Sequence, residues 1–304
     1  MASHRNAAVA EAGKYQHGVG PDEAMQAPPD RPHVDDAPPD LFDGGHLWVQ
    51  ERVVGGHCRF RLAETGVVRF GDRERVFESD GVPAPYRHTV RHVRERLDRE
   101  ALRSAAERVG DVVFFGVSTH DRGVDYDWDR LPSFLGYEVW SGADGAFLPP
   151  DRAEQAFSKL GLTPVNAVAK EVRAADFDPE TYAFPESRWY DGPAAGVVLR
   201  NKTGARAELP NPAVGTRPES EPGATDFDPE ARAESWATDS RFEAVADDVT
   251  GQGSAVTVDA VYDRVLESIL REHHRELLGA TDEQRRAFRS AVAALTREFA
   301  ARQE

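Results

Sequence analysis

Four groupings of side chains in this 304-residue sequence are of types that could act on a substrate. Ser118, Thr119, His120 and Asp121 put hydroxyls, an imidazole and a carboxylate into one loop after an apolar run. A nucleophile with its base needs side chains converging from different elements, so sequence neighbours of this kind read as an ordinary polar loop. His273 and His274 lie within a helical stretch, where adjacent residues point to different sides, and the H-E-x-x-H spacing of a zinc protease is absent. Asp125, Asp127 and Asp129 alternate with Tyr126 and Trp128 and could hold a cation. A calcium loop would need a central glycine and a closing glutamate that this run lacks. Cys58 is the single cysteine, which rules out an internal disulfide and a cysteine zinc site and leaves a small apolar residue on a strand. No glycine-rich phosphate loop of the Walker type occurs.

The elements that would carry these groups follow from pattern. Residues 1–40 mix Ala, Pro, Asp, Gly and His without apolar period, with Pro28-Pro29 and Pro38-Pro39 as breakers, and are expected to be disordered or loosely draped. His46 to Val54 and His57 to Leu62 flank Gly55-Gly56 and read as a hairpin. Short strands are expected at Val67 to Phe70 and Arg75 to Glu78, and a helix from about Tyr86 to Val109. Buried strands fit Asp111 to Gly116 and Phe134 to Trp140. A helix capped by Asp151 should stop near Leu160, before Gly161. Further strands fit Val165 to Val172, Gly196 to Arg200 and Arg206 to Leu209. Residues 210–230 are rich in Pro, Gly, Thr and acid, which makes them the linker candidate, and 231–304 form a helical unit. There, Val258, Val261, Val265, Ile269 and Leu277 line a helix from Thr257 to Leu278. Thr281-x-x-Gln284 is a capping box opening a last helix, with Phe288, Val292, Leu295 and Phe299 on its apolar face. Strands with a few helices, then a helical tail, make an α+β domain with an α appendage.

The charge balance is acidic: 53 Asp and Glu oppose 37 Lys and Arg, a formal net charge of -16, and only Lys14, Lys159, Lys170 and Lys202 are lysines. This resembles the composition of proteins from salt-loving organisms. At molar salt the Debye length falls to about 3 Å, so net charge does not exclude an RNA partner. No run is apolar enough for a membrane span and no signal segment stands at the N-terminus, so a cytoplasmic protein without a membrane partner is expected.

Read in order, several segments resemble the ATP-dependent RNA ligases of the nucleotidyltransferase superfamily, in a haloarchaeal-like form with degenerate motifs. His46-Leu-Trp-Val-Gln-Glu-Arg-Val-Val-Gly-Gly56 resembles the first motif, E-K-x-D-G. Val113-Phe-Phe-Gly-Val117 resembles the third, and Asp125 to Trp140 the loop and strand after it. Ala195-Gly-Val-Val-Leu-Arg200 resembles the fourth, E-G-x-V, and Arg206-Ala-Glu208 stands in the place of the fifth, a lysine pair. The resemblance implies an antiparallel-sheet nucleotidyltransferase domain over residues 41–209.

It also implies a chemistry that this chain lacks. The family's first-motif lysine attacks the α-phosphate of ATP to form a lysyl-adenylate. Arg52 stands there instead, and a guanidinium with a pKa above about 12 is not a nucleophile. The aspartate is Val54, the third-motif glutamate Val117, the fourth-motif glutamate Ala195, and the fifth motif offers Arg206 and Glu208, whose carboxylate would repel a phosphate. Loss of these carboxylates should weaken Mg2+ binding. Glu51, Gly55, Tyr137, Arg206 and either Arg73 or Arg75 match positions that contact the nucleotide, although a strand-face or core role is open for each. The expectation is a ligase-like protein, impaired or inactive in self-adenylylation, that retains ATP, nucleotide or RNA-end binding. Two alternatives stay open: a scaffold that docks a protein partner, using the helical tail, and an active ligase whose nucleophile has moved to Lys202.

Overall fold

The computed structural model describes residues 25–215, 226–253 and 255–303. In chain order the first elements are β1 (His46–Glu51), β2 (Gly56–Leu62), β3 (Val68–Gly71), α1 (Arg87–Arg96), α2 (Arg99–Ala105), β4 (Val112–Ser118), β5 (Phe134–Ser141) and β6 (Ala146–Phe147). They are followed by α3 (Pro150–Lys159), β7 (Ala167–Arg173), β8 (Gly196–Arg200) and β9 (Arg206–Pro210). The helical unit comprises α4 (Pro229–Trp236), α5 (Asp239–Gly251), α6 (Val258–Glu272), α7 (His274–Leu278) and α8 (Asp282–Gln303).

The strands form two antiparallel sheets, ordered β7-β1-β8-β9 and β3-β2-β4-β5-β6. The expected hairpin of β1 and β2 is therefore corrected: β1 pairs with β7 and β8, whereas β2 pairs with β3 and β4. Gly55 serves the crossing between sheets rather than a turn. A Cβ there would lie 2.4 Å from the Ser118 carbonyl oxygen and 2.5 Å from a Val117 methyl, so only glycine passes β4 this closely.

Three apolar cores hold the sheets. Phe60, Phe114, Phe134 and Phe157 join α1–α3 to one face of the five-stranded sheet, with Phe60 and Phe114 stacked at 4.9 Å. Val53, Val54, Phe115, Val117, Leu135, Tyr137 and Ala195 fill the space between the sheets. Leu41, Leu47, Val197, Leu199 and Leu209 close the outer side of the four-stranded sheet.

Other expectations also need correction. Residues 25–40 are packed, not disordered: Val34–Asp36 and Pro39–Leu41 form 3-10 turns, and Val34 and Leu41 are buried in the outer core. The prolines fix φ for such turns. Residues 1–24 lie outside the described residues, as do 216–225 of the expected linker. The helical unit begins earlier than 231, because Phe227 is buried in its core and Asp228 caps α4. The helix expected from Tyr86 to Val109 breaks at Leu97, whose backbone is extended, and Asp98 accepts from the Ala101 amide to restart it. Arg75 to Glu78 forms only a bridge from Val76 to Gly71. Pro149, not Asp151, holds the cap position of α3, and Gly161 ends the turn beyond it at φ +76°. The capping box is present: the Thr281 amide donates to Gln284 Oε1 at 2.8 Å and the Gln284 amide to Thr281 Oγ1 at 3.2 Å. No helix among the described residues is long and apolar enough to cross a membrane.

Candidate functional site

The connection from β1 to β2 lines a cleft between the two sheets. Arg52 begins it; its amide donates to the Gly196 carbonyl at 2.9 Å, its Nη1 to the Ala195 carbonyl at 3.4 Å, and its Nε lies 3.5 Å from Glu208 Oε2. Gly196, at φ +140°, leaves room for the Arg52 stem, which a Cβ would approach to 3.1 Å. Glu208 is thus tied to Arg52 across β8. Val54, Val117 and Ala195 belong to a single buried apolar cluster, and the Val54 amide is taken by the Tyr126 hydroxyl at 2.9 Å.

Of the other singled-out residues, Glu51 and Tyr137 line the cleft and Arg206 joins Glu138 beside it, and each is engaged. Glu51 is 2% exposed; its Oε1 accepts from Ser187 Oγ at 2.6 Å, and its Oε2 from Asn166 Nδ2 at 3.0 Å and the Arg188 amide at 3.3 Å. The Tyr137 hydroxyl donates to His57 Nδ1 at 3.0 Å, and the Arg31 guanidinium covers the Tyr137 ring at 4.4 Å from its centroid. Arg206 and Arg200 both donate to Glu138 Oε1, at 2.6 and 2.8 Å, and all three are buried. Arg73 is on the rim, paired with Asp30 at 2.9 Å, while Arg75 turns to Asp72 at 3.7 Å. Lys202 is exposed and paired with Glu171 at 2.8 Å, and the hydrogen bond to that carboxylate raises its pKa. That is the opposite of what an attacking amine requires.

Sequence reading missed Arg31, His57, Arg122 and Glu138. With Arg52, Gly55, Gly56, Val117 and Glu208, the first three line a cavity of about 190 Å³. His57 is held neutral: burial first, then the charges of Arg31, Arg73, Arg122 and Arg52, lower its pKa to about 3. Arg122 donates to the Gly55 carbonyl at 2.9 Å. Its loop is fixed from the helical unit, where buried Arg271 donates to Thr119 O at 2.9 Å, to Thr119 Oγ1 at 3.1 Å, to Trp128 O at 3.4 Å and to Leu131 O. Glu138 could have been found, since a carboxylate inside an apolar strand demands a buried partner. Arg31 gave no signal within its proline-rich surroundings.

Glu51, Glu138 and Glu208 are each committed to donors of this chain, and no group of three or more His, Cys, Asp or Glu side chains that could hold a metal occurs among the described residues.

A Naegleria gruberi RNA ligase variant with ATP and Mn matches with a TM-score of 0.50 at 13% identity, covering 62% of this chain and 57% of that one. The fold is RNA ligase-like. The same ligase with PPi gives a TM-score of 0.49 at 12% identity, covering 69% and 62%. This chain thus spans about three fifths of the ligase structures it matches. No protein-family model and no curated protein matches the sequence. At this identity the likeness is one of fold.

Proposed function

We propose that this chain is an RNA ligase-like protein that does not adenylylate itself and that holds a phosphate-bearing RNA end in its basic cleft. The observation that carries this reading is the ion pair of Arg52 with Glu208. In the resemblance these two positions belong to lysines, one attacking the α-phosphate and one neutralising it. Here they satisfy each other, and the positions expected to be carboxylates, 54, 117 and 195, are apolar and packed together. A lysyl-adenylate forms when a neutral amine bonds to the α-phosphorus and pyrophosphate leaves. Arg52 provides no neutral amine, and Lys202 is ion-paired outside the cleft lining.

The test is incubation with ATP and Mg2+ or Mn2+ followed by intact-mass measurement, together with fluorescence titration of a 5′-phosphorylated RNA. The expected result is an unchanged mass and measurable RNA binding. A covalent gain of one AMP would overturn the inactive assignment, and a natively folded protein that ignores the RNA would overturn the binding one. The apolar stripe of the tail argues against its use as a docking face, because Val261, Val265, Ile269, Leu277, Phe288 and Phe299 are buried against one another.

A further inference from the structure

We propose that the groove between α2 and α3 is a binding site for a free amphipathic carboxylate, a slender apolar chain ending in one anionic head. The groove shares no lining residue with the cleft between the sheets, so the proposal stands apart from the function assigned to that cleft. Its cavity has a volume of about 840 Å³, against about 190 Å³ for the one lined by Arg52 and Glu208. Pockets for small molecules run from about 300 to 1,000 Å³.

The groove is where the core of the five-stranded sheet is left open. It reaches down to Leu102, Phe114, Val139 and Leu160, all members of that core. Ala101, Ala106, Val112, Leu148 and Ala156 also line it, and they are five of the six apolar residues that pack on this core while only partly buried. The opening has a local cause: Ala101, Ala105 and Ala106 on the α2 side and Ala156 on α3 stand where longer side chains would meet across the gap. Leu102, Phe114, Val139 and Leu160 are 3%, 1%, 2% and 5% exposed, so the gap narrows toward its floor. A docked helix, about 10–12 Å across, is too broad to reach them, whereas an alkyl chain is not.

Charge decides the head group. Arg152, Gln155 and Lys159 follow one another at i, i+3 and i+7 on one face of α3 and line the groove together. None of the three makes a hydrogen bond or ion pair among the described residues. The other described lysines, Lys170 and Lys202, are paired with Glu154 and Glu171. In a chain of formal net charge -16 acids are plentiful, yet none answers Arg152 or Lys159. Their long stems let both charged heads converge on one carboxylate, with the Gln155 amide as a third donor. The rest of the lining is acidic: Glu107 follows α2 and Asp144 lies in the turn from β5 to β6, while Arg108 is tied to Asp111 at 3.3 Å. Those carboxylates repel an anion, so the head stays at the α3 wall and the apolar chain runs inward.

The test titrates the full chain calorimetrically with dodecanoate, kept below its micelle-forming concentration, and with dodecyltrimethylammonium as the head-group control. Dodecanoate should bind saturably and the cationic analogue about tenfold more weakly. Each methylene removed, down to octanoate, should weaken binding roughly threefold to fourfold. Arg152→Gln combined with Lys159→Gln, both at exposed positions, should cost about tenfold in affinity and leave the melting temperature of the free chain unchanged. Ala105→Trp, also at an exposed position, should fill the groove and abolish binding. Hydrogen exchange of the unaltered chain gives a reading that needs no variant: dodecanoate should slow exchange in residues 99–106 and 150–160 and leave the cleft residues 52–57 as they were. Absence of saturable binding, equal binding of the cationic analogue, full affinity in either variant, or protection outside the groove overturns the inference. So does a chain that ignores free dodecanoate and sediments only with phosphatidylglycerol vesicles, which would make the groove a membrane contact instead.

Discussion

Replacing Glu138 with glutamine keeps the shape of the side chain and removes its charge. Glu138 is 1% exposed and accepts from Arg200 and Arg206 on one oxygen, at 2.8 and 2.6 Å; those arginines are 4% and 9% exposed. The change leaves two buried guanidiniums without a counter-ion. Breaking a buried ion pair from one side costs about 3–5 kcal/mol, most of it the penalty of the charge left behind. Arg200 retains the carbonyl oxygens of Tyr137 at 2.6 Å and Leu148 at 3.3 Å, which keeps the expected loss within that range and not above it. At roughly 2–4 °C per kcal/mol for a domain of this size, the melting temperature should fall by roughly 6–20 °C. Scanning calorimetry at neutral pH reads this directly. The triple change Glu138→Leu, Arg200→Met, Arg206→Met should recover most of the loss, since an apolar replacement of a whole buried ion cluster is close to neutral. A fall of under about 3 °C for Glu138→Gln would refute the claim that these charges depend on one another.

Three further outcomes are expected. Burial and nearby arginines lower the pKa of His57 to about 3 and of His92 to about 4, while an unfolded histidine titrates near 6.5. The unfolded chain therefore binds protons first, so stability is full above about pH 6.5 and falls toward pH 4, at up to about 2.7 kcal/mol per pH unit for the two together. Urea midpoints that agree at pH 7 and pH 5 would contradict this. Gly136→Ala would set a Cβ 2.3 Å from the Phe157 ring, which the surrounding core does not let move; a loss of about 1–3 kcal/mol should appear in chemical denaturation. Arg271→Met removes the donor to Thr119, Trp128 and Leu131, so hydrogen exchange should quicken across residues 119–131.

The strands with strong β-branched and aromatic content were legible in order and position: β4, β5, β8 and β9 stand where pattern put them, and the capping box opens α8 as expected. What pattern did not reveal was partnership. Gly55-Gly56 has the composition of a turn, and only the nearness of Ser118 and Val117 makes it a crossing between sheets. The helix expected to run from Thr257 to Leu278 breaks at His273, which stacks on Trp236 at 4.0 Å, a contact between positions 37 residues apart in number. Within the cleft, Glu51 and Tyr137 were found by resemblance, but Asn166, Ser187 and Arg31, which decide whether they are accessible, come from distant segments without any local signal.

The pairing of Pro32 and His33 with Glu208 has a consequence beyond the cleft. β9 is the margin of its sheet, and a bare margin presents backbone donors and acceptors that recruit strands from other molecules. The amide of Glu208 is already answered by Pro32 O. A protease that cut off the first 33 residues would therefore create an adhesive border at the same moment as it removed Arg31 from the cleft lining, so an altered cleft and an aggregation-prone protein would be produced by the same cut.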